Sequence, residues 1–253
     1  MSRLLGEVRA VFFDLFDTLV EVDESRLPSM TFRGKEVRAT TPVVHDELRK
    51  LLPDLAFDDF VEAYGAITRD FWDEKEQRDV EMSAPVRMGR VLAHFRIADE
   101  DGTIARRLAE VHMSTFVEAV RPIDGAHEVL ERVLRAGHAT TLISNFDFAP
   151  AARAILERLD LARFFPRPII SDEMGLRKPN PRLFEIALEH HGIEPRAALH
   201  VGDDARADAW GAARVGLRTV WIDRRGEDYP EDDHPPDLRV RRIDELLALL
   251  EDG

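Results

Sequence analysis

The chain has 253 residues, of which 49 are acidic and 35 are basic, so its formal net charge is −14, and it contains no cysteine. This acidic balance argues against a nucleic-acid partner, because binding to a phosphate backbone needs a basic face. Without cysteine there is no disulfide, no thiolate nucleophile and no cysteine zinc site. No apolar run approaches the roughly 18 residues of a membrane span and no signal-like segment opens the chain, so we expect a cytoplasmic protein with no membrane partner.

Short apolar runs that end in a polar residue recur along the chain. Runs of this length that are continuously apolar predict strands buried on both faces, as in parallel sheets. There are five such runs: residues 10–13 before Asp14, 139–143 before Ser144, 168–170 before Ser171, 198–201 before Gly202 and Asp203, and 219–222 before Asp223. The segments between the last four runs have helical spacing. The alternation predicts an α/β fold with a doubly wound parallel sheet, in which ligands bind at the carboxyl ends of the strands.

Residues 22–121 show a different pattern. They contain no comparable apolar run, and their apolar residues recur at helical spacing, for example Phe60, Tyr64 and Phe71. We therefore expect about a hundred mostly helical residues inserted after the first strand. The predicted division is an α/β core domain of residues 1–21 and 122–253 and an inserted helical domain of residues 22–121.

The polar residues at the predicted strand ends each have an ordinary structural explanation when taken singly. Asp14 and Ser144 suit turns and helix caps, Lys178 suits a solvated surface, and the acids of residues 203–208 suit a helix N-terminus. Together they place a carboxylate nucleophile, oxygen donors, a cation and an acid cluster at one edge of the sheet. Mg²⁺ prefers oxygen ligands and leaves room for a substrate phosphate. The set therefore favours phosphoryl transfer, which needs positioning and charge neutralisation above all.

The motifs VFFDLFDTLV, TTLISN, RKPNP and HVGDDARAD resemble the four signature motifs of the haloacid dehalogenase-like (HAD) hydrolase superfamily in order and spacing. The helical insertion after the first motif is similar to the type-one cap of that superfamily. The resemblance implies a Rossmann-like core with a helical cap domain. It also implies a Mg²⁺-dependent hydrolase that removes phosphate from a small phosphorylated metabolite through an aspartyl-phosphate.

The resemblance implies roles for individual residues as well. Asp14 matches the nucleophile, and Lys178 matches the lysine that neutralises nucleophile and phosphate. Thr18 and Ser144 match the hydroxyls that hold phosphate oxygens, and Asn145 follows Ser144 as it does in many members.

The implied metal ligands are the carboxylates of Asp14 and Asp203 and the backbone carbonyl of Phe16. Asp208 matches a second acid that binds the metal directly or orients the active-site lysine. Asp204 stands where many members have serine or another small polar residue. His200 lies inside a predicted buried strand, and we interpret it as a hydrogen-bonded core histidine.

One position departs from the pattern of the phosphatases in this superfamily. They carry a second aspartate two residues after the nucleophile as general acid and base, whereas this chain has Phe16 there and Asp17 one residue later. Successive side chains of an extended backbone point to opposite sides, so Asp17 should not simply substitute. Loss of a general acid costs about 10²- to 10⁴-fold in rate. The sequence thus fits a slow phosphatase or one suited to acyl and aryl phosphates.

Two alternatives stay open. An aromatic residue at this position is also found in true 2-haloacid dehalogenases, which attack carbon without a metal but replace the acids of the fourth motif with neutral residues. This chain keeps Asp203 and Asp208, which favours the phosphatase. The third interpretation is a non-catalytic binding protein on the same scaffold. The sequence indicates neither the particular substrate nor the oligomeric state.

Overall fold

The protein is described by a computed structural model that covers residues 6–78, 80–226, 228–230 and 233–250. The ends of the predicted core domain, residues 1–5 and 251–253, lie outside the described residues. The strands are β1 (Ala10–Phe13), β2 (Val20–Val22), β3 (Ser29–Phe32), β4 (Lys35–Arg38), β5 (Val120–Pro122), β6 (Ala139–Ser144), β7 (Ile169–Ile170), β8 (Ala198–Gly202), β9 (Arg218–Ile222) and β10 (Leu238–Val240).

The α-helices are α1 (Thr41–Leu48), α2 (Phe57–Arg78), α3 (Ala84–His94), α4 (Thr103–Ala119), α5 (Ala126–Arg135), α6 (Ala149–Arg158), α7 (Ser171–Met174), α8 (Pro181–His191), α9 (Gly211–Val215) and α10 (Leu247–Leu250). A π-helical turn over Ala205–Trp210 precedes α9. Short 3₁₀ turns cover Glu24–Arg26, Ala162–Phe164, Pro195–Ala197 and Ile243–Leu246. None of the helices in the described ranges is both long and apolar enough to cross a membrane.

A six-stranded parallel sheet carries the fold, with its strands in the order β10-β9-β8-β1-β6-β7. β1 lies at the centre, and all four of its residues are buried. Ala10 and Phe12 pack on one face with residues of α8 and α9. Val11 and Phe13 line a small apolar cavity on the other face with residues of α5 and α10. Both faces of the sheet are therefore covered by helices, which confirms the predicted α/β class.

The chain divides into two compact units. The first comprises Met1–Glu21, Arg121–Phe146 and Leu156–Gly253, and it contains the six-stranded sheet. The second comprises Val22–Val120 together with Asp147–Ile155, a segment that the sequence analysis had placed with the core. The boundaries at residues 21, 22, 121 and 122 remain a prediction.

The second unit contains α1 to α4 and a hairpin that the sequence analysis did not anticipate. β3 and β4 pair antiparallel, and Arg33 and Gly34 form the turn with φ values of 50° and 76°. All four residues of β4 are exposed. A strand without a buried side leaves no apolar alternation in the sequence, so its pattern could not be recognised.

Candidate active site

The carboxyl ends of three neighbouring strands meet at the candidate site. Phe13, the last residue of β1, is in register with Leu142 of β6 and Val201 of β8. The N–H of Asp14 donates to the carbonyl of Val201 over 2.9 Å, so the sheet ladder continues to the aspartate. Asp14 after β1, Ser144 at the end of β6 and Asp203 after β8 therefore share one edge of the sheet, as the strand pattern predicted.

Lys178 lies buried between two carboxylates. Its Nζ donates to Oδ1 of Asp14 and to Oδ1 of Asp208, each over 2.6 Å. Burial alone lowers the pKa of the Lys178 ammonium, but the attraction of the two carboxylates outweighs burial and raises the pKa above its ordinary value. The lysine is therefore held as a cation against the predicted nucleophile.

Asn145 fixes the backbone of this lysine. Its Oδ1 accepts from the N–H of Lys178 over 2.7 Å, and its Nδ2 donates to the Lys178 carbonyl over 3.0 Å. A side-chain amide is the group that can do both at once. Asn145 thus holds the segment that carries Lys178, while Pro179 on the same segment packs so closely on Gly211 that a Cβ there would lie 2.9 Å from the proline Cβ.

Asp14, Asp203 and Asp208 form the acid cluster of the site. One carboxylate oxygen of each lies within 4.8 Å of the others. Burial raises the pKa of Asp14 to about 7. Burial together with the charges of Asp14 and Asp208 raises the pKa of Asp203 to about 9. A group of carboxylates that oppose one another's ionisation is a donor set suited to a hard divalent cation.

Asp208 differs from the other two acids because both of its oxygens are bound. Oδ1 accepts from Lys178 and from Nε2 of His200, the latter over 2.8 Å, and Oδ2 accepts from the N–H of Asp204 over 3.2 Å. Burial raises the pKa of Asp208, but Lys178 and His200 overcome this effect and bring it down to about 2. Asp208 is therefore the permanently ionised member of the cluster.

Asp204 has a structural role in the π-helical turn. Its Oδ1 accepts from the N–H groups of Arg206 and Ala207 over 2.9 and 2.7 Å, which makes it the N-cap of that turn. The turn then carries Asp208 back over β8.

Gly202 is a site residue that the sequence analysis missed. A Cβ built on Gly202 would lie 2.2 Å from Cγ of Asp208, so the carboxyl group occupies the space that any other side chain would fill. The signal was present, because a glycine stands between an apolar strand and an acid. The glycine is needed because Asp208, six positions later, packs against it, and this contact forms only in the folded turn.

Thr18 and Ser144 present buried hydroxyls. Both residues are at most 1% exposed, and neither Oγ atom has a hydrogen-bond partner among the described residues. Leaving a buried polar group without a partner costs about 1–3 kcal/mol. Two such groups at the edge that carries Asp14 fit the oxygens of a bound anion.

Phe16 and Asp17 occupy the two positions where the expected pattern fails. The ring of Phe16 stacks on that of Phe146, with centroids 5.2 Å apart and planes inclined by 9°. Asp17 has φ 56°, its side chain is 60% exposed, and its Oδ1 accepts from Nη1 of Arg224 over 2.9 Å. Arg224 also donates to Glu21 over 2.6 Å. The Asp17 carboxylate is thus an ion-pair partner of Arg224.

Comparisons with known proteins show what this chain is similar to. A model of the family described as haloacid dehalogenase-like hydrolase matches residues 8–216, which include Asp14, Lys178 and the acids of residues 203–208. Glyceraldehyde 3-phosphate phosphatase of Pyrococcus furiosus is 28% identical, with 98% of this chain and 95% of that protein aligned. Phosphoserine phosphatase of Thermus thermophilus is 39% identical over 60% of this chain and 62% of that protein. A crystal structure of 2-haloacid dehalogenase from Pseudomonas syringae has the same fold, with a TM-score of 0.69, 24% identity, and coverage of 97% of this chain and 99% of that one.

The close approach at Gly202 gives a first prediction. In Gly202→Ala the new Cβ must displace Asp208 or the strand, so we expect a loss of about 1–3 kcal/mol in the free energy of unfolding. Gly89 in α3 is a matched control because no atom lies within 4 Å of its Cβ position. Gly89→Ala should stabilise by about 0.5–1 kcal/mol. Urea unfolding measures both, and equal stabilities for the two variants would contradict the packing of Asp208 on Gly202.

The raised pKa of Asp203 gives a second prediction. Its pKa of about 9 in the folded protein exceeds the value of 3.8 expected without burial, so the stability that this carboxyl contributes is lost as pH rises between these values. Asp203→Asn cannot ionise. In metal-free protein, the free energy of unfolding of Asp203→Asn minus that of wild type should increase by at least about 1 kcal/mol from pH 5 to pH 8. That amount corresponds to about one pKa unit.

Asp204→Asn is the control for that experiment, because asparagine caps the turn as aspartate does. It should follow the wild-type pH curve. Parallel curves for wild type and Asp203→Asn would show that the pKa of Asp203 is not raised in the folded protein.

Proposed function

Because the chain belongs to the haloacid dehalogenase-like hydrolase family, we propose that it is a Mg²⁺-dependent phosphohydrolase that acts on a small phosphorylated metabolite. The observation that carries the proposal is the pair of buried hydroxyls, Thr18 and Ser144, which lack partners at the edge that holds Asp14 and Lys178. The names of the two phosphatase relatives support a small phosphate ester as the substrate class.

Asp14 is the proposed nucleophile. Its carboxylate attacks phosphorus, a P–O bond to the carboxylate forms, and the bond to the leaving oxygen breaks. Water then cleaves the aspartyl-phosphate, which releases phosphate and restores the carboxylate. Lys178 binds Oδ1 of Asp14, so the lysine orients the nucleophile and places a positive charge beside it. Thr18 and Ser144 would donate to the phosphate oxygens, while Asn145 keeps the lysine segment in place.

The charge balance of the site supports a divalent cation. Three carboxyl groups face one ammonium, so full ionisation of all three needs a further cation, and a bound phosphate group adds more negative charge. We propose that the carboxylates of Asp14 and Asp203 and the carbonyl of Phe16 hold Mg²⁺, with Asp208 as a direct ligand or as the partner that orients Lys178. The ion would supply charge neutralisation for the phosphoryl group.

The aromatic residue at position 16 favours a second candidate, a metal-independent 2-haloacid dehalogenase. Asp14 would then attack carbon and displace halide. The acid cluster weighs against this candidate because halide displacement by Asp14 needs no divalent cation and gives the carboxyl groups of Asp203 and Asp208 no task. A non-catalytic binding protein on the same scaffold is the third candidate. The core of residues 1–21 and 122–253 and the helical cap of residues 22–121 remain part of this proposal.

Metal removal separates the candidates and is our third prediction. We expect phosphate release from a panel of phosphorylated metabolites to stop in EDTA and to return with Mg²⁺, because Lys178 alone cannot neutralise nucleophile and phosphate. The assays measure phosphate release from these metabolites and, separately, chloride release from 2-chloropropionate. Metal-independent chloride release without phosphatase activity would establish the dehalogenase, and neither activity would favour the binding protein.

Calorimetry tests the metal ligands in the same preparation. Substitution of a residue that only supports a metal ligand weakens metal binding by roughly 10- to 100-fold. Asp203→Asn removes a proposed ligand itself, so it should weaken Mg²⁺ binding by more than this. Asp204→Asn, one residue away, should bind Mg²⁺ as wild type does. Equal affinity in all three proteins would remove Asp203 from the ligand set.

The environment of Phe16 and Asp17 gives the fourth prediction, which concerns the leaving group. The aromatic ring of Phe16 has no acidic proton, and the Asp17 carboxyl group is taken up by its contact with Arg224. We expect rates to fall steeply as the pKa of the leaving group rises, with acetyl phosphate cleaved far faster than sugar phosphates. Phe16→Asp should flatten this dependence by recovering part of the about 10²- to 10⁴-fold contribution of a general acid.

Phe16→Leu is the matched control, because it removes the ring without adding an acid and should keep the steep dependence. Asp17→Asn should keep it as well. A flat dependence in wild type that becomes steep in Asp17→Asn would identify Asp17 as the proton donor and overturn the expectation.

A further inference from the structure

His200 is a fully buried histidine that the proposed chemistry does not use. It lies in β8 with no exposed surface, and its ring meets that of Phe184 edge-on at 5.1 Å. Its Nε2 is 2.8 Å from Oδ1 of Asp208, the same oxygen that accepts from Lys178. A core histidine with a hydrogen bond was expected from the sequence. Its partner was not.

The strand geometry explains how the contact arises. Residues two apart on a strand face the same side, so His200 and Gly202 lie on one face of β8. The missing side chain of Gly202 leaves the space in which the Asp208 carboxyl group sits, 2.2 Å from where a Cβ would be. The imidazole of His200 is the next side chain on that face, and it reaches Oδ1 of the carboxylate.

The hydrogen bonds also determine which nitrogen carries the proton. A carboxylate oxygen that already accepts from an ammonium has no proton to give, so the hydrogen between Nε2 and Oδ1 belongs to the imidazole. Nδ1 is buried and has no hydrogen-bond partner among the described residues. His200 is therefore a neutral imidazole with its proton on Nε2.

We propose that His200 is a positioning residue for Lys178. By donating to Oδ1 of Asp208, it holds that oxygen at the point where Lys178 Nζ reaches both Asp208 and Asp14. Without this hydrogen bond the carboxylate keeps only Lys178 at Oδ1 and the longer contact of 3.2 Å from the Asp204 N–H at Oδ2, so the ammonium is held by a less firmly fixed partner. The inference rests on the proposed function, in which Lys178 orients Asp14 and neutralises charge.

Two substitutions distinguish positioning from simple core packing. His200→Leu fills the space but cannot donate, whereas His200→Gln retains a side-chain N–H at nearly the reach of Nε2. We expect His200→Leu to lower kcat about 10- to 100-fold, the usual cost of removing a partner of a functional side chain, with KM little changed. His200→Gln should recover most of that loss.

His191→Leu is the control variant. His191 ends α8, and its ring bonds to Thr141 and stacks on Phe12, neither of which belongs to the acid cluster. It should keep the wild-type kcat. Wild-type kcat in His200→Leu, or equal losses in the Leu and Gln variants, would overturn the positioning role.

A measurement without turnover keeps the inference separate from the proposed function. In metal-free protein, the two-bond ¹H–¹⁵N correlations that disappear in His200→Leu should be those of an imidazole with a protonated Nε2 and a bare Nδ1. A proton on Nδ1 would overturn the inference even in an active phosphatase.

A wild-type protein without phosphatase activity would remove the proposed function alone. Crystal structures of wild type and His200→Leu then decide the positioning role. It stands if Lys178 Nζ leaves Asp208 in the variant, and it is wrong if the contact of 2.6 Å is unchanged.

Discussion

The burial of one ammonium group between two carboxylates is the constraint on which the active site depends. A buried lysine costs several kcal/mol unless its charge is paired and its protons are bonded, and breaking such a pair is expensive. Lys178 meets this requirement with Asp14 from the end of β1 and Asp208 from the turn after β8. Each of the surrounding features serves that pairing. Asn145 fixes the lysine backbone, Gly202 makes room for Asp208, and Asp204 caps the turn that returns it.

The same arrangement leaves the site with more carboxyl groups than cations to pair with them. One ammonium satisfies Asp208 and part of Asp14, but Asp203 has no cation of its own at bonding distance among the described ion pairs, and its pKa rises to about 9. The Asp203 carboxyl group therefore keeps its proton near neutral pH unless a cation joins the cluster. The proposed divalent cation would replace that proton, and its binding and that of phosphate would favour each other because the two charges are opposite.

The sequence predicted the parts of the site that follow from strand order. Asp14, Ser144 and Asp203 end strands that are neighbours in a parallel sheet, so their meeting is a property of topology alone. The contact of His200 with Asp208 could not be predicted in this way. It depends on a π-helical turn that carries residue 208 back over residue 202, and nothing in the spacing of eight residues indicates such a return. The hairpin of β3 and β4 was not predicted for a different reason. All residues of β4 are exposed, so the strand has no alternation of apolar and polar residues that the sequence could reveal.

The side chains around Asp14 differ in the chemistry that they can supply. On the phosphoryl side there are an ammonium, two unpartnered hydroxyls and an acid cluster, all of which act on charge. At the position two residues beyond Asp14 there is a stacked pair of aromatic rings, and the next carboxylate, Asp17, is bound to Arg224. Such a site stabilises charge on phosphorus and leaves the departing oxygen to carry its own. Because a leaving group of low pKa carries that charge readily and an alkoxide does not, the proposed phosphohydrolase would select substrates by the acidity of the leaving group.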